Sequence, residues 1–205
     1  MIVGIDFDNT IVCYDGLFYD AAIAREMIPV DTSPSKEAVR DFLRAAGREN
    51  AWTELQGLVY GHEIGLAKPF DGAAAFVARC RDEQVTVNVI SHRTKQPFAG
   101  PPIDMHQAAR DWLDSQGWFT NTNHGLDHDR VFFEESKASK LARIASARCD
   151  VFIDDLPELL AEPDFPGGVE RMLFDPHATG LNETRFGRAG SWQELADLLL
   201  ARENP

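Results

Sequence analysis

Residues 1–10 read MIVGIDFDNT, and this stretch decides the fold. Met1, Ile2, Val3, Gly4 and Ile5 form a near-continuous apolar run, the pattern of a strand buried on both faces of a parallel sheet. Asp6, Phe7, Asp8, Asn9 and Thr10 follow it. Strand side chains alternate, so Asp6 and Asp8 share one side while Phe7 points away. In an open α/β sheet, ligands bind just beyond the carboxyl ends of the strands. Two carboxylates there repel each other unless a cation sits between them, and a magnesium ion with oxygen ligands suits that place. Asp, Asn and Thr are also ordinary turn residues after a strand. The rest of the chain decides between the two readings.

Downstream of this stretch the pattern changes twice. Residues 11–69 are the least regular part of the chain. Ala21 to Ile28 has helical spacing and stops at Pro29. Pro34 and Ser35 precede a second helix, with Val39, Phe42, Leu43 and Ala46 on one face and Gly47 as its stop. Trp52, Leu55, Leu58 and Val59 predict a third, ending near Gly61. No strand pattern is evident there, so residues 15–68 are expected to form a small helical insertion, with 1–14 and 69–205 as the core domain.

Regular alternation resumes at Pro69. A helix carrying Ala73, Phe76, Val77 and Cys80 leads into the apolar run Val85 to Ile90, which ends in Ser91, His92, Arg93 and Thr94. Further helices are predicted from Asp104, from Ser136 and from Ser191. The last opens on a capping box with Glu194. Further strands are predicted at Val131–Phe133, at Val151–Ile153, which ends in Asp154 and Asp155, and at Arg171–Phe174. Strands alternating with helices imply an α/β protein, a doubly wound three-layer parallel sheet of Rossmann-like type. Its C-terminal edge collects Asp6, Asp8, Ser91, Asp154 and Asp155.

Composition bounds the function. A chain of 205 residues with 44% hydrophobic content can build one sizeable core plus an insert. The formal net charge of −13 argues against nucleic-acid or anionic-membrane partners. A small phosphorylated substrate remains compatible, because salt screens the global field beyond about 8–10 Å. No apolar run reaches the length of a membrane span, and the first residues carry no basic leader. Cys13, Cys80 and Cys149 lie far apart without a CxxC pair, which points to a reduced, cytoplasmic protein. The oligomeric state is not legible.

The ordered set of motifs resembles that of the haloacid dehalogenase-like (HAD) superfamily. Asp6-Phe-Asp8-Asn-Thr10 looks like its first motif and Ser91 like its second. A lysine opening a helix, Lys137 or Lys140, looks like its third, and Val151-Phe-Ile-Asp-Asp155 like its fourth in double-aspartate form. The insertion resembles the small helical cap placed there in that superfamily. The resemblance implies a Mg²⁺-dependent phosphatase. Asp6 would attack phosphorus to form an aspartyl phosphate. Asp8 would protonate the leaving oxygen and then activate water, and an aspartate at that position implies phosphate transfer rather than dehalogenation. Mg²⁺ would be held by the Asp6 carboxylate, the backbone carbonyl of Asp8 and Asp154. Asp155 would be a further ligand or would orient the site from behind. Ser91 would hydrogen-bond a phosphoryl oxygen, the lysine would neutralise developing charge, Thr10 would order the loop, and Thr10 and Asn9 would contribute to substrate binding. Lys140, beside Leu141 on the apolar seam, is the preferred lysine. Arg93 could reach a substrate phosphate.

Other clusters carry less. His62-Glu63 is not a zincin helix, because Leu66 stands where the second histidine belongs. His124, Asp127, His128 and Asp129 lie in a polar loop. No GxGxxG or Walker loop implies a nucleotide cofactor. Two alternatives stand beside the small-metabolite phosphatase: a nucleotide or polynucleotide-end phosphatase, and a non-catalytic phosphoacceptor or binding module. In a receiver-type module, however, the acceptor aspartate stands on a later strand than the acidic pair, whereas here the next strand ends in Ser91.

Overall fold

The computed structural model describes residues 1–120, 125–178 and 185–200. His124 lies outside them. The elements in chain order are β1 (Ile2–Ile5), β2 (Val12–Cys13), α1 (Leu17–Ile23), α2 (Lys36–Ala45), α3 (Glu49–Gly57), β3 (Lys68–Pro69), α4 (Ala73–Asp82), β4 (Thr86–His92), α5 (Met105–Ser115), β5 (Val131–Glu134), α6 (Lys137–Ser146), β6 (Val151–Asp154), α7 (Pro157–Leu160), β7 (Glu170–Phe174), β8 (Gly187–Ala189) and α8 (Trp192–Leu199). The chain divides into two compact units. The first comprises Met1–Val12, Pro69–Arg93 and Gln116–Pro205, and the second Cys13–Lys68 and Thr94–Ser115.

The first unit is built on a six-stranded sheet in the order β5-β4-β1-β6-β7-β8. Its strand pairs are parallel throughout. The apolar reading of β1 holds, because β1 is central and pairs with β4 on one side and β6 on the other. Gly4 is required by that position. A Cβ there would lie 2.5 Å from the Phe152 ring and 2.8 Å from Cys149 Sγ, closer than packed atoms allow.

Both faces of the sheet are covered. On one, Leu141 and Ile144 of α6 and Leu159 and Leu160 of α7 pack with Ile90, Phe152 and Leu173. On the other, Trp192 of α8 meets Phe174 and Phe76. Leu173 and Phe174 are neighbours on β7, so strand alternation sends them into opposite layers. The expectation of a doubly wound α/β sheet is met. Three strands were not legible: the two-residue β2 and β3, which fall in the stretch read as having no strand pattern, and β8, Gly187–Ala189, which adds to the edge beyond β7, whereas the sequence reading ended the strands at Phe174.

Helix starts follow the capping chemistry. Ser136 Oγ accepts from Ser139 N at 3.1 Å at the head of α6, and Ser191 Oγ from Glu194 N at 3.2 Å at the head of α8. The Glu194 carboxylate accepts from Gly190 N at 2.8 Å, one residue upstream of the donor that a capping box uses.

The second unit is helical, as its sequence predicts. Val39 and Leu43 of α2 are fully buried, while Phe42, expected on the same face, is 37% exposed. The α3 helix runs into a π-helical turn over Leu58–His62. An aromatic cluster forms around Phe18, whose ring centroid lies 5.2 Å from Trp52 and 5.3 Å from Tyr60. Lys36 Nζ stands 5.7 Å from both the Phe18 and Tyr60 ring centres. Residues 94–115, read from sequence as part of the core domain, group with this unit. Gly57 explains part of this: a Cβ there would lie 2.6 Å from the Ala99 carbonyl oxygen, so the Pro97–Ala99 backbone packs directly on α3. Trp112 of α5 donates its indole N–H to the Ala67 carbonyl at 3.0 Å. Among the described residues, no helix is long and apolar enough to cross a membrane.

Candidate active site

The C-terminal ends of β1, β4 and β6 are adjacent, and the sequence delivers its polar residues there. Asp6 leaves β1 with its backbone N–H still bonded to the Ile153 carbonyl at 2.9 Å. The chain then turns sharply. The Phe7 carbonyl accepts from both Ile11 N at 3.1 Å and Val12 N at 3.0 Å. Asn9 takes the positive φ of 56° that this turn demands, a conformation in which Asn is enriched among non-glycine residues. Thr10 is fully buried. Its carbonyl accepts from Trp192 Nε1 at 3.2 Å, while its hydroxyl has no hydrogen-bond partner among the described residues.

Asp6 and Asp154 face each other across a buried lysine. Lys140 Nζ donates to Asp6 Oδ1 at 2.5 Å and to Asp154 Oδ2 at 2.6 Å. Asp6, Lys140 and Asp154 are 4%, 2% and 0% exposed. The other Asp154 oxygen, Oδ1, accepts from Leu156 N at 2.9 Å, which fixes that carboxylate. Lys137, three residues earlier on α6, instead points outward to Glu162 at 2.5 Å with half its side chain exposed. Of the two sequence candidates, Lys140 is therefore the one brought to the carboxylates.

The charge balance of this cluster is negative. Burial would strip Lys140 of its proton, but the Asp154 and Asp6 carboxylates overcome that and raise its pKa. One ammonium cannot satisfy two buried carboxylates. Burial, together with the charges of Asp154 and Asp8 and against the pull of Lys140, pushes Asp6 up from 3.8 to about 7. Asp6, Asp154 and Asp155 each offer a carboxylate oxygen, all within 4.8 Å of one another. Three hard oxygen donors with a net negative charge fit a divalent cation of the Mg²⁺ kind, which would supply the missing positive charge.

Asp8 has a different environment. Its carboxylate lies outside that three-residue cluster and is engaged by Arg93, whose Nη1 donates to Oδ1 at 2.6 Å and Oδ2 at 2.8 Å. The sequence assigned Asp8 to the metal through its backbone carbonyl; its side chain serves the ion pair. Arg93 N continues the sheet ladder by donating to the Glu134 carbonyl at 2.8 Å, and its guanidinium lies 5.6 Å from the Phe7 ring centre. Ser91 sits inside β4, opposite Phe133 of β5, and is 1% exposed. Glu134 escaped the sequence reading. Its carbonyl anchors Arg93, and its carboxylate accepts from Arg143 Nε at 2.7 Å. The only signal for it was an acidic residue at a strand end.

No protein-family model and no curated protein matches this chain. Solved structures do. A HAD family hydrolase from Deinococcus radiodurans R1, determined with bound phosphate and sodium, aligns at TM-score 0.62 and 14% identity over 98% of this chain and 95% of its own. The putative HAD hydrolase YfnB from Bacillus subtilis, bound to magnesium, aligns at TM-score 0.59 and 12% identity over 97% of each chain. A protein described as a dehalogenase aligns at TM-score 0.54 and 13% identity over 97% of this chain and 96% of its own. At such identities the likeness establishes the architecture.

Proposed function

We propose that this chain, which has the HAD-superfamily hydrolase fold, is a divalent-metal-dependent phosphatase. It would hydrolyse a small phosphomonoester through a phosphoryl group carried on Asp6. The observation that carries the reading is the buried Asp6–Lys140–Asp154 cluster, with Asp155 beside it, at the C-terminal edge of the sheet.

Asp6, Asp154 and Asp155 would hold Mg²⁺, with the Asp8 carbonyl as a further donor. The ion would keep Asp6 ionised and shield the phosphate charge. An Asp6 oxygen attacks phosphorus, the bond to the leaving oxygen breaks, and Asp8 delivers a proton to that oxygen. Asp8 then takes a proton from water, which attacks the acyl phosphate and frees Asp6 and inorganic phosphate. Lys140 neutralises charge on the phosphoryl oxygens, and Ser91 donates to one of them. Asn9 and Thr10 shape the loop that holds Asp8. Asp8 also supports phosphate transfer over dehalogenation, since a halide leaving group needs no proton. The acidic surface supports a small metabolite over a nucleic-acid strand, and the absence of a cysteine pair supports a cytoplasmic location.

The test is competitive. Sugar phosphates, mononucleotides, a 3′-phosphorylated oligonucleotide, a phosphopeptide and a 2-haloacid are offered with Mg²⁺, and kcat/KM is compared. Turnover of a small phosphomonoester, lost in excess EDTA, is expected. Turnover of the haloacid alone, or full activity in EDTA, would overturn the reading. A clear preference for the oligonucleotide would refute the small-molecule part of it.

A further inference from the structure

We infer that Arg93 is a positioning residue that holds the Asp8 carboxylate in place for proton transfer, and does not itself bind the substrate phosphate. The inference rests on the phosphatase reading and extends it to a residue whose partner lies 85 positions away.

Three observations carry it. The first is burial: the Arg93 side chain is 2% exposed and that of Asp8 20%. A phosphomonoester arriving from solvent meets Asp8, while Arg93 stands behind it. The second is geometry. Nη1 reaches both Asp8 oxygens, at 2.6 and 2.8 Å, so the carboxylate is held through both of its oxygens. The third is anchorage. Arg93 is fixed by its N–H on the Glu134 carbonyl and by its guanidinium over Phe7, the residue between the two aspartates. The ion pair thus ties the loop after β1 to the end of β4. An aspartate on a turn held by a left-handed Asn9 has rotamers to choose from, and the guanidinium selects one. Charge-assisted bonds of this length are the stronger kind, and displacing a reacting group by about 1 Å can cost on the order of 10²-fold in rate.

A positioning role for the proton donor has a signature that a phosphate-binding role lacks. Proton delivery matters when the leaving group is a poor one, such as an alkoxide, and little when it is a stable phenolate. Arg93→Ala and Arg93→Lys would be assayed with Mg²⁺ on an alkyl phosphate and on p-nitrophenyl phosphate. Arg93→Ala should lower kcat on the alkyl ester at least tenfold more than on the aryl ester, with KM for both nearly unchanged. Arg93→Lys, which keeps the charge but loses the spread geometry, should recover part of the loss on the alkyl ester. In the Asp8→Asn background, Arg93→Ala should add little, because the carboxylate it positions is already gone. Equal losses on the two esters, or a rise in KM that dominates both, would overturn the inference and assign Arg93 to phosphate binding. A wild-type protein that turns over neither ester would instead overturn the phosphatase reading, and this role with it.

Discussion

The two ion pairs at the end of β1 use the same chemistry in opposite ways. At Asp6, the carboxylate is buried, the cation is shared with Asp154, and the balance of charge is negative. At Asp8, two residues on, the carboxylate is part exposed and has an arginine placed behind it. The first arrangement leaves room for a cation; the second fixes the direction of a carboxylate. Strand alternation puts the two aspartates on one side, but what each can do is set by the cation the fold brings to it. Lys140 comes from 134 positions away and Arg93 from 85.

The largest effect should come from removing the charge at the first site. Asp6→Asn keeps the shape and removes the attacking oxygen's charge. Turnover should vanish, and no phosphoenzyme should be trapped by acid quench from labelled substrate. Wild-type turnover in this variant would end the covalent mechanism.

Next comes Lys140. Its loss removes one preorganised partner of the transition state, an effect of about 10²–10³ in rate. It also leaves two buried carboxylates uncompensated, which should cost about 3–5 kcal/mol of stability in metal-free protein. Lys137→Ala, on the same helix but on an exposed pair, should change stability by no more than about 0.5 kcal/mol. Chemical denaturation of the two variants in EDTA, beside kcat in Mg²⁺, separates the buried pair from the surface one. The reverse ranking would move the functional lysine to Lys137.

These contrasts mark how much was legible in the sequence. The strand β1 was legible because a run buried on both sides can alternate with nothing polar, and the aspartates after it stood at a sheet end by the same logic. Lys140 was separable from Lys137 because it adjoins Leu141 on the apolar seam of its helix. The partner of Asp8 was not legible, since Arg93 follows a strand end where a substrate-facing and an inward-facing arginine read alike. The helix α5 was placed with the wrong unit for a similar reason. Its buried face of Met105, Ala109, Trp112 and Leu113 fits any apolar neighbour, and only tertiary contact chooses among them. The strand β8, Gly-Arg-Ala, has no apolar run to announce it.

The metal supplies a test of intermediate size. Asp6 in the folded, metal-free protein titrates at about 7, against 3.8 ordinarily. Between those values the folded state holds a proton that the unfolded chain has released. This contribution is fully present below about pH 4, declines as pH rises, and is gone above about pH 7. Metal-free protein should therefore lose stability across that window. The same proton competes with the cation for Asp6, so Mg²⁺ affinity should fall by up to about tenfold per pH unit below 7. Calorimetric titration of Mg²⁺ at pH 7.5, 6.5 and 5.5 reads this directly, as a loss of about threefold over the first unit and approaching tenfold over the second. Affinity flat with pH would mean that Asp6 is not a ligand. Asp154→Ala should weaken binding at every pH while the fold persists.

The smallest effect belongs to the residue that closes the loop between the two ion pairs. Thr10 is fully buried, and its hydroxyl has no hydrogen-bond partner among the described residues, whereas its carbonyl receives the Trp192 indole. The loop is thus held through the backbone of Thr10. A buried hydroxyl without a partner costs about 1–3 kcal/mol relative to a satisfied one. Valine has nearly the same shape, keeps the backbone carbonyl and carries no polar atom. Thr10→Val should accordingly raise the stability by about 1 kcal/mol, seen as a higher denaturation midpoint with an unchanged slope. The position of Asp8 should not move, so kcat on both the alkyl and the aryl ester should stay within about twofold of wild type. A lower midpoint would show that the hydroxyl has a partner, such as a bound water. A selective loss of kcat on the alkyl ester would show that this hydroxyl, and not Arg93 alone, sets the direction of Asp8.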